Sequence, residues 1–439
     1  MTPIEKAILA AIDGNRDRII EFGRDINTHA ELGYKEFRTA KKFATFAKDL
    51  GLRVEEGHAI TGVKAYLGEG ATGPTLALIG ELDALRIPAH PKVNPETQAA
   101  HACGHHAQLA GVVGAAIALS LPEVAKALGA PVVFFAVPAE EYGEIEFKNR
   151  LRDEGKIKYG GGKCELIRIG AFDDVALALV HHSGEKASTG NGTSNGFVSK
   201  VIRIKGREAH AAAAPEKGVN AVNAASIGLT ALAYHRETFK DEDSVRIHPI
   251  ITKGGNLVNV VPEEVVLETL VRAKTIDAIL DADRKTDRAF KAGADALGAG
   301  YEIETMPGYL PRIPQEPHAA LVGALKSVFP GKDFSSVPAD KHGAGSTDVG
   351  DLQQVIPVLG FSTGGVKGNF HSSQFEVVDE EEAYVATAKV FALAAYALLK
   401  DGAAEAKKVV EGYKAPYTKQ GYIEFMDSLI KRETREVRA

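Results

Sequence analysis

The densest concentration of metal-binding side chains in the sequence is His101-Ala-Cys103-Gly-His105-His106. A thiolate and several imidazoles packed this closely suit a transition metal. At the mouth of a loop entering a helix, the helix N-terminus would also favour the thiolate of Cys103. The same segment can equally be a His-rich turn with a buried cysteine. A second element, Pro138-Ala-Glu140-Glu141, directly follows an apolar run. Adjacent carboxylates repel, and neither is stable beside a dry core without compensation. Two cations would compensate, with one carboxylate as a ligand and its neighbour accepting a proton from water; a solvated strand end is the alternative.

Two further elements bear histidines. His181-His182 closes the apolar run 175–180, where a single histidine is commonly a satisfied core residue. His371 sits in Asn369-Phe-His371-Ser-Ser, a loop far along the chain. Histidine is the commonest metal ligand, and a distant loop histidine is a usual way to close a two-metal site. Thiol, imidazoles and carboxylates at four separated strand or loop ends together support a dinuclear site that polarises a carbonyl and activates water.

These residues need elements to hold them. Residues 36–50 and 105–121 are predicted helices, and residues 75–80 and 131–137 short buried strands. The alternation predicts an α/β fold with a mostly parallel central sheet. Function in such sheets gathers at the carboxyl ends of strands. The two strands run into Glu81 and Asp83, and into Glu140 and Glu141. From about residue 191 the pattern changes: strand 197–205, helix 218–236, strands 245–251 and 263–272, helix 276–297. We therefore expect a catalytic domain over 1–190 and 307–439, interrupted at 191–306 by a βαββα insertion. The charged, Ala-rich tail after Gly402 is predicted helical.

The 439 residues fit two or three domains rather than one ordinary core. A hydrophobic fraction of 45%, a charged fraction of 25% and a net charge of −6 describe a soluble globular chain with no basic surface for nucleic acid. No run approaches the roughly 18 uninterrupted apolar residues of a membrane span. The N-terminal segment, with Ile4, Ile8 and Ile12 on one helical side, lacks a signal-peptide core, which points to the cytoplasm. Two cysteines make no disulfide framework.

The chain resembles the M20 metallopeptidases, in the branch of aminobenzoyl-glutamate hydrolases and N-acyl-amino-acid amidohydrolases. The resemblance starts at His29-Ala-Glu-Leu-Gly33, runs through Glu81-Leu-Asp83, the HACGH and PAEE segments, Gly206–Gly218 and Asn259-Val-Val-Pro262, and ends with Arg272, Ser346-Thr-Asp-Val-Gly-Asp351 and His371. It implies two divalent metals, zinc or manganese and possibly cobalt, held by Cys103, His105, Glu141, His182 and His371. Cys103 would take the bridging place, Glu140 would be the general base, and Asp83 would orient the ligands from behind. His210 would reach the active site of a partner in a homodimer or higher oligomer, while Asn259 and Arg272 would hold the polar end of a small N-acyl amino acid or dipeptide. Departures are His106, Ser183 and the long segment 144–164. A dipeptidase or carboxypeptidase acting on short or longer peptides and a non-catalytic binding protein of the same fold are the competing readings.

Overall fold

The computed structural model describes residues 1–438. Its larger sheet has eight strands. Four neighbours in the middle run parallel: Val132–Val137, Leu76–Glu81, Leu177–Ser183 and Val358–Thr363. Both Leu76–Glu81 and Val132–Val137 are buried along their whole length, as continuous apolar strands covered on both faces must be. Antiparallel Gly62–Leu67 and Arg53–His58 extend one edge. The fold is thus mixed α/β with a mostly parallel central sheet, as predicted.

One face is covered by the helix His105–Leu119, every residue of which is buried. Its small residues allow close approach. A side chain at Gly111 would meet Thr387, and one at Gly114 would meet Ala388 and Ile19. Thr387 and Ala388 open the long C-terminal helix Thr387–Gly412, which breaks at Lys400–Ala403. Counted from Glu381, this helix is long and apolar enough to cross a bilayer. Its most apolar window is nevertheless 83% buried inside the protein, which marks it as a core helix.

The second sheet is antiparallel, with the order Arg246–Ile247, Glu264–Ala273, Gly196–Lys205, Gly300–Pro307 and Lys431–Arg435. Helices Ala221–Tyr234 and Ile276–Ala296 pack against it. The predicted helical tail needs correction here. After the helix Lys419–Ser428, residues Lys431–Arg435 form an exposed edge strand. Charge pairing rather than apolar periodicity fixes it: Arg432 meets Glu302, Glu433 meets Lys291 and Arg435 meets Asp295.

Lys200, fully buried beneath this sheet, sets its packing on the helix Ile276–Ala296. Its Nζ lies 2.6 Å from Asp283 and 2.5 Å from Asp287, and donates to Thr305 Oγ1 at 2.7 Å. Removing one partner from such a cluster strands the opposite charge in a dry core. Lys200→Met should therefore cost about 3–5 kcal/mol in urea unfolding. Adding Asp283→Asn and Asp287→Asn to that variant should restore part of the loss.

Candidate metal centre

Three of the parallel strands deliver their carboxyl ends to one place. Leu76–Glu81 ends on Glu81 and turns to Asp83, Val132–Val137 leads to Glu140 and Glu141, and Leu177–Ser183 presents His181 and His182. The turn before the helix His105–Leu119 adds Cys103. Its Gly104 has φ +85° and packs against Ser183, where a Cβ would clash. The loop carrying His371 comes over the top; its backbone N–H donates to Ala102 O.

Cys103 is the hub. Its Sγ lies 3.3 Å from His182 Nε2 and 3.3 Å from His371 Nε2, and that His371 nitrogen is 3.3 Å from Glu141 Oε1. Two clusters capable of holding a metal therefore share the thiol: Cys103, His105 and His182, and Cys103, Glu141 and His371. A third grouping, Glu81, His105 and Glu140, adjoins the first. His105 takes its orientation from Asp83, whose carbonyl oxygen lies 2.9 Å from Nδ1 and whose carboxylate lies 3.3 Å from it. The other oxygen of that carboxylate accepts the Glu141 backbone N–H at 2.8 Å, so one side chain fixes both a histidine and an acid.

The paired histidines separate by strand alternation. His182 faces the thiol. His181 turns inward to Thr363 Oγ1 at 2.8 Å and packs on Phe361 and Phe391, where burial pushes it down to about 3. The His-rich turn separates likewise. His106 is buried against Tyr384 and His101, and burial first, then His105, holds it neutral at about 3.

The residues fit a pair of cations. Among the described residues, His105 Nε2, Asp83 Oδ1 and Glu141 Oε1 are buried polar atoms that make no well-formed hydrogen bond; their nearest partners are Glu81 Oε2 at 3.1 Å, His105 Nδ1 at 3.3 Å and His371 Nε2 at 3.3 Å. Burial, then Glu81 and Glu141, push Glu140 well above the usual carboxyl range. Burial and Glu141 likewise push the Cys103 thiol up. Thiol, imidazole and carboxylate together form a donor set for zinc or a similar transition metal.

Of the other predicted site residues, Arg272 is half-buried, its Nε without a partner, and it feels the charge of Glu141. His210 and Asn259 are exposed and lie outside the cluster of their own chain, on neighbouring strand-like segments joined by the His210–Val260 bridge.

A match to the peptidase family M20/M25/M40 covers residues 77–397. The chain belongs to this family. It is 30% identical over 368 residues to a Xaa-Arg dipeptidase of Mus musculus, covering 79% of this chain and 76% of the relative. It is 29% identical to one of the subunits of the p-aminobenzoyl-glutamate hydrolase of Escherichia coli, covering 70% of this chain and 60% of the relative. A solved aminobenzoyl-glutamate utilization protein from Klebsiella pneumoniae superposes with a TM-score of 0.64 at 20% identity, over 88% of this chain and 97% of that one. The chain is accordingly an M20 metallo-amidohydrolase or peptidase, a hydrolase of C–N bonds.

Sequence reasoning assigns no site role to Lys163, Asp348 or Glu36. Lys163 is fully buried, with Nζ 2.5 Å from Glu81 and 2.6 Å from Asp348. Against the cost of burial, Lys163 and His105 hold Glu81 ionised, down to about 2. A lysine beside the glycines of Gly160-Gly-Gly-Lys163 is the one available signal.

Glu36 pins the loop that carries Glu140. It accepts the Ala139 N–H at 2.8 Å and the Thr61 hydroxyl at 2.7 Å, and Ala139 itself has a left-handed φ of +48°. Burial and then Asp83 raise Glu36 from 4.5 to about 7. A carboxyl raised on folding opposes the fold once ionised, so stability falls as pH climbs from about 4.5 and levels off above about 7. Glu36→Gln cannot ionise, and its amide can accept the Ala139 N–H through oxygen while its NH2 donates to the Thr61 hydroxyl. Its melting temperature relative to wild type should therefore rise between pH 5 and pH 8 in parallel thermal scans; a constant difference would contradict the assignment.

Proposed function

We propose that the chain hydrolyses the amide bond of a small N-acyl or N-aroyl amino acid. The observation that carries this reading is the pair of ligand clusters sharing Cys103, with the carboxyl of Glu140 3.9 Å from His105 at the same end of a cavity of about 480 Å³. Cys103, His105 and His182 would hold one divalent cation, and Cys103, Glu141 and His371 the other, zinc or manganese. When bound, such a pair polarises the amide carbonyl and acidifies water.

The remaining chemistry belongs to the chain. Glu140 takes the proton of the attacking water and returns it to the leaving nitrogen. Its backbone is fixed in place for this, because the Tyr309 hydroxyl donates to its carbonyl and Glu36 holds the preceding residue. Arg272 offers an unpaired guanidinium for the substrate carboxylate.

His210 and Asn259 are supplied by a second copy of the chain in a homodimer, where His210 stabilises the oxyanion. The exposed Leu257 and Val258, next to Asn259, and the exposed Ile250 and Ile251 are the apolar surface that such a dimer would cover. The names of the relatives agree on an amide bond beside an amino acid. The dipeptidase among them favours a second reading in which the acyl group is itself an aminoacyl group.

Elemental analysis of protein reconstituted with zinc or manganese should find two metals per chain. A panel of N-acyl amino acids, aminobenzoyl-glutamate and dipeptides should then rank the two readings. Glu140→Gln should keep both metals and lose about 10²–10⁴-fold in kcat; retained turnover would remove Glu140 from its role. The dimer predicts that an inactive His210→Ala protein mixed with an inactive Glu140→Gln protein regains part of the activity after subunit exchange.

A further inference from the structure

The cavity that opens on the metal centre is electrically divided. The acids that line it, Glu81, Glu140 and Glu141, belong to the metal end. Elsewhere its wall is made of glycines, serines, threonines, the apolar Val337, Val349, Phe361 and Phe370, and two cations, Arg312 and Lys341. The Arg312 guanidinium has no ion pair or side-chain hydrogen bond among the described residues, and its Nε is buried without a partner. Burial alone acts on it, lowering it to about 10, so it stays charged at neutral pH. Leaving a half-buried guanidinium unpaired is costly. The fold supplies no acid to relieve it.

Arg312 is also held rigidly. Asp351 accepts the Leu310 N–H at 3.0 Å, Gln353 bonds both backbone groups of Ile313, and Gln354 donates to Pro311 O. Asn191 adds a bond to Ile313 O at 2.8 Å. The guanidinium lies over Gly360, 3.8 Å from where a Cβ would stand. Gly360 is paired with Val180, two residues before His182 on the neighbouring strand. At about 3.3 Å per residue, that sets Arg312 roughly 7 Å along the sheet from the level of His182. This is within the reach of one small substrate.

The geometry points to a second anion subsite: Arg312, assisted by Lys341, binds a carboxylate on the substrate other than the one assigned to Arg272. The inference rests on the amidohydrolase reading and adds a substrate class to it. The substrate is a dianion, with the extra carboxylate on the side chain of the amino acid or on the acyl group. Arginine suits this role because its planar fork meets a carboxylate with two parallel hydrogen bonds. Confining the acids to the metal end keeps the cavity from repelling such a substrate.

The test compares kcat/KM for two matched pairs on the zinc- or manganese-loaded full chain: N-benzoyl-glutamate against N-benzoyl-glutamine, and N-succinyl-alanine against N-butanoyl-alanine. Wild type should prefer the carboxylate-bearing member of one pair, and which pair responds tells where the second carboxylate sits. Arg312→Gln should lower kcat/KM for that member by about 10- to 100-fold, while the neutral member changes by less than about threefold. Lys341→Gln, at an exposed position that the fold does not need, should give a smaller loss of the same selectivity.

Calorimetric binding of glutamate against glutamine, and of succinate against butanoate, to the same proteins gives a readout without turnover. The favoured diacid should bind wild type more tightly, and Arg312→Gln should abolish the difference. Cleavage with no preference in either pair, or equal losses for both members, overturns the subsite while leaving the amidohydrolase reading intact. No cleavage of any panel member overturns that reading; equal binding of diacids and their neutral counterparts then overturns the subsite as well.

Discussion

A lysine with no solvent exposure stands between Glu81 and Asp348, and the whole site is arranged around that charge. Parallel strands bring acids to their shared carboxyl edge, where the sheet is covered and water is scarce. Each carboxylate there must find a positive partner or give up its charge. Lys163 neutralises part of this. Burial drives it down, but Asp348, Glu81 and Glu140 more than reverse that and keep it protonated. One ammonium cannot balance Glu81, Asp348, Glu140 and Glu141 together. Both Glu81 and Asp348 pair with it, and burial, joined by Glu81 and against the pull of Lys163, still raises Asp348 to about 6. Glu140 and Glu141 face the imidazoles and the thiol, and the other buried ammonium nearby, Lys148, bonds only the Glu141 carbonyl oxygen among the described residues. The charge deficit is thus concentrated where the ligand atoms converge, and that is the electrostatic form of a site for two cations.

Part of this arrangement is legible in the sequence. The buried strands Leu76–Glu81 and Val132–Val137 announce themselves as unbroken apolar runs, and the acids after them mark the catalytic edge. The HACGH run is dense enough in donors to be noticed. Composition cannot divide it, however: Cys103 and His105 face the clusters while His106 is turned onto Tyr384. At His181-His182 the division follows from alternation along a strand, but the phase is set by the covering helix, whose Phe391 packs on His181.

Lys163 and Glu36 are illegible for a different reason. Their partners are 82 and 103 residues away in the chain, and neither a buried lysine nor a buried glutamate has a local signature. The edge strand Lys431–Arg435 has no buried face, and its charge pairing with Glu302, Lys291 and Asp295 specifies it. Long-range charge complementarity is the component of this fold that periodicity cannot report.

Four of the protein's buried or half-buried cations fall into two kinds. Lys163 and Lys200 are each enclosed by two carboxylates and serve to join elements: strand edge to loop in one case, sheet to helix in the other. Arg272 and Arg312 have no such partners among the described residues. Both guanidinium groups remain charged at neutral pH, so the fold cannot relieve them by deprotonation as it could a lysine. They are held by backbone and packing rather than by ion pairs; Arg312 sits in a loop pinned by Asp351 and Gln353, and Arg272 on a strand beside the Phe197 ring. The two lysines are satisfied by carboxylates within the fold, whereas the two guanidinium groups are left open toward a ligand. By that criterion the two lysines belong to the architecture and the two arginines to the substrate.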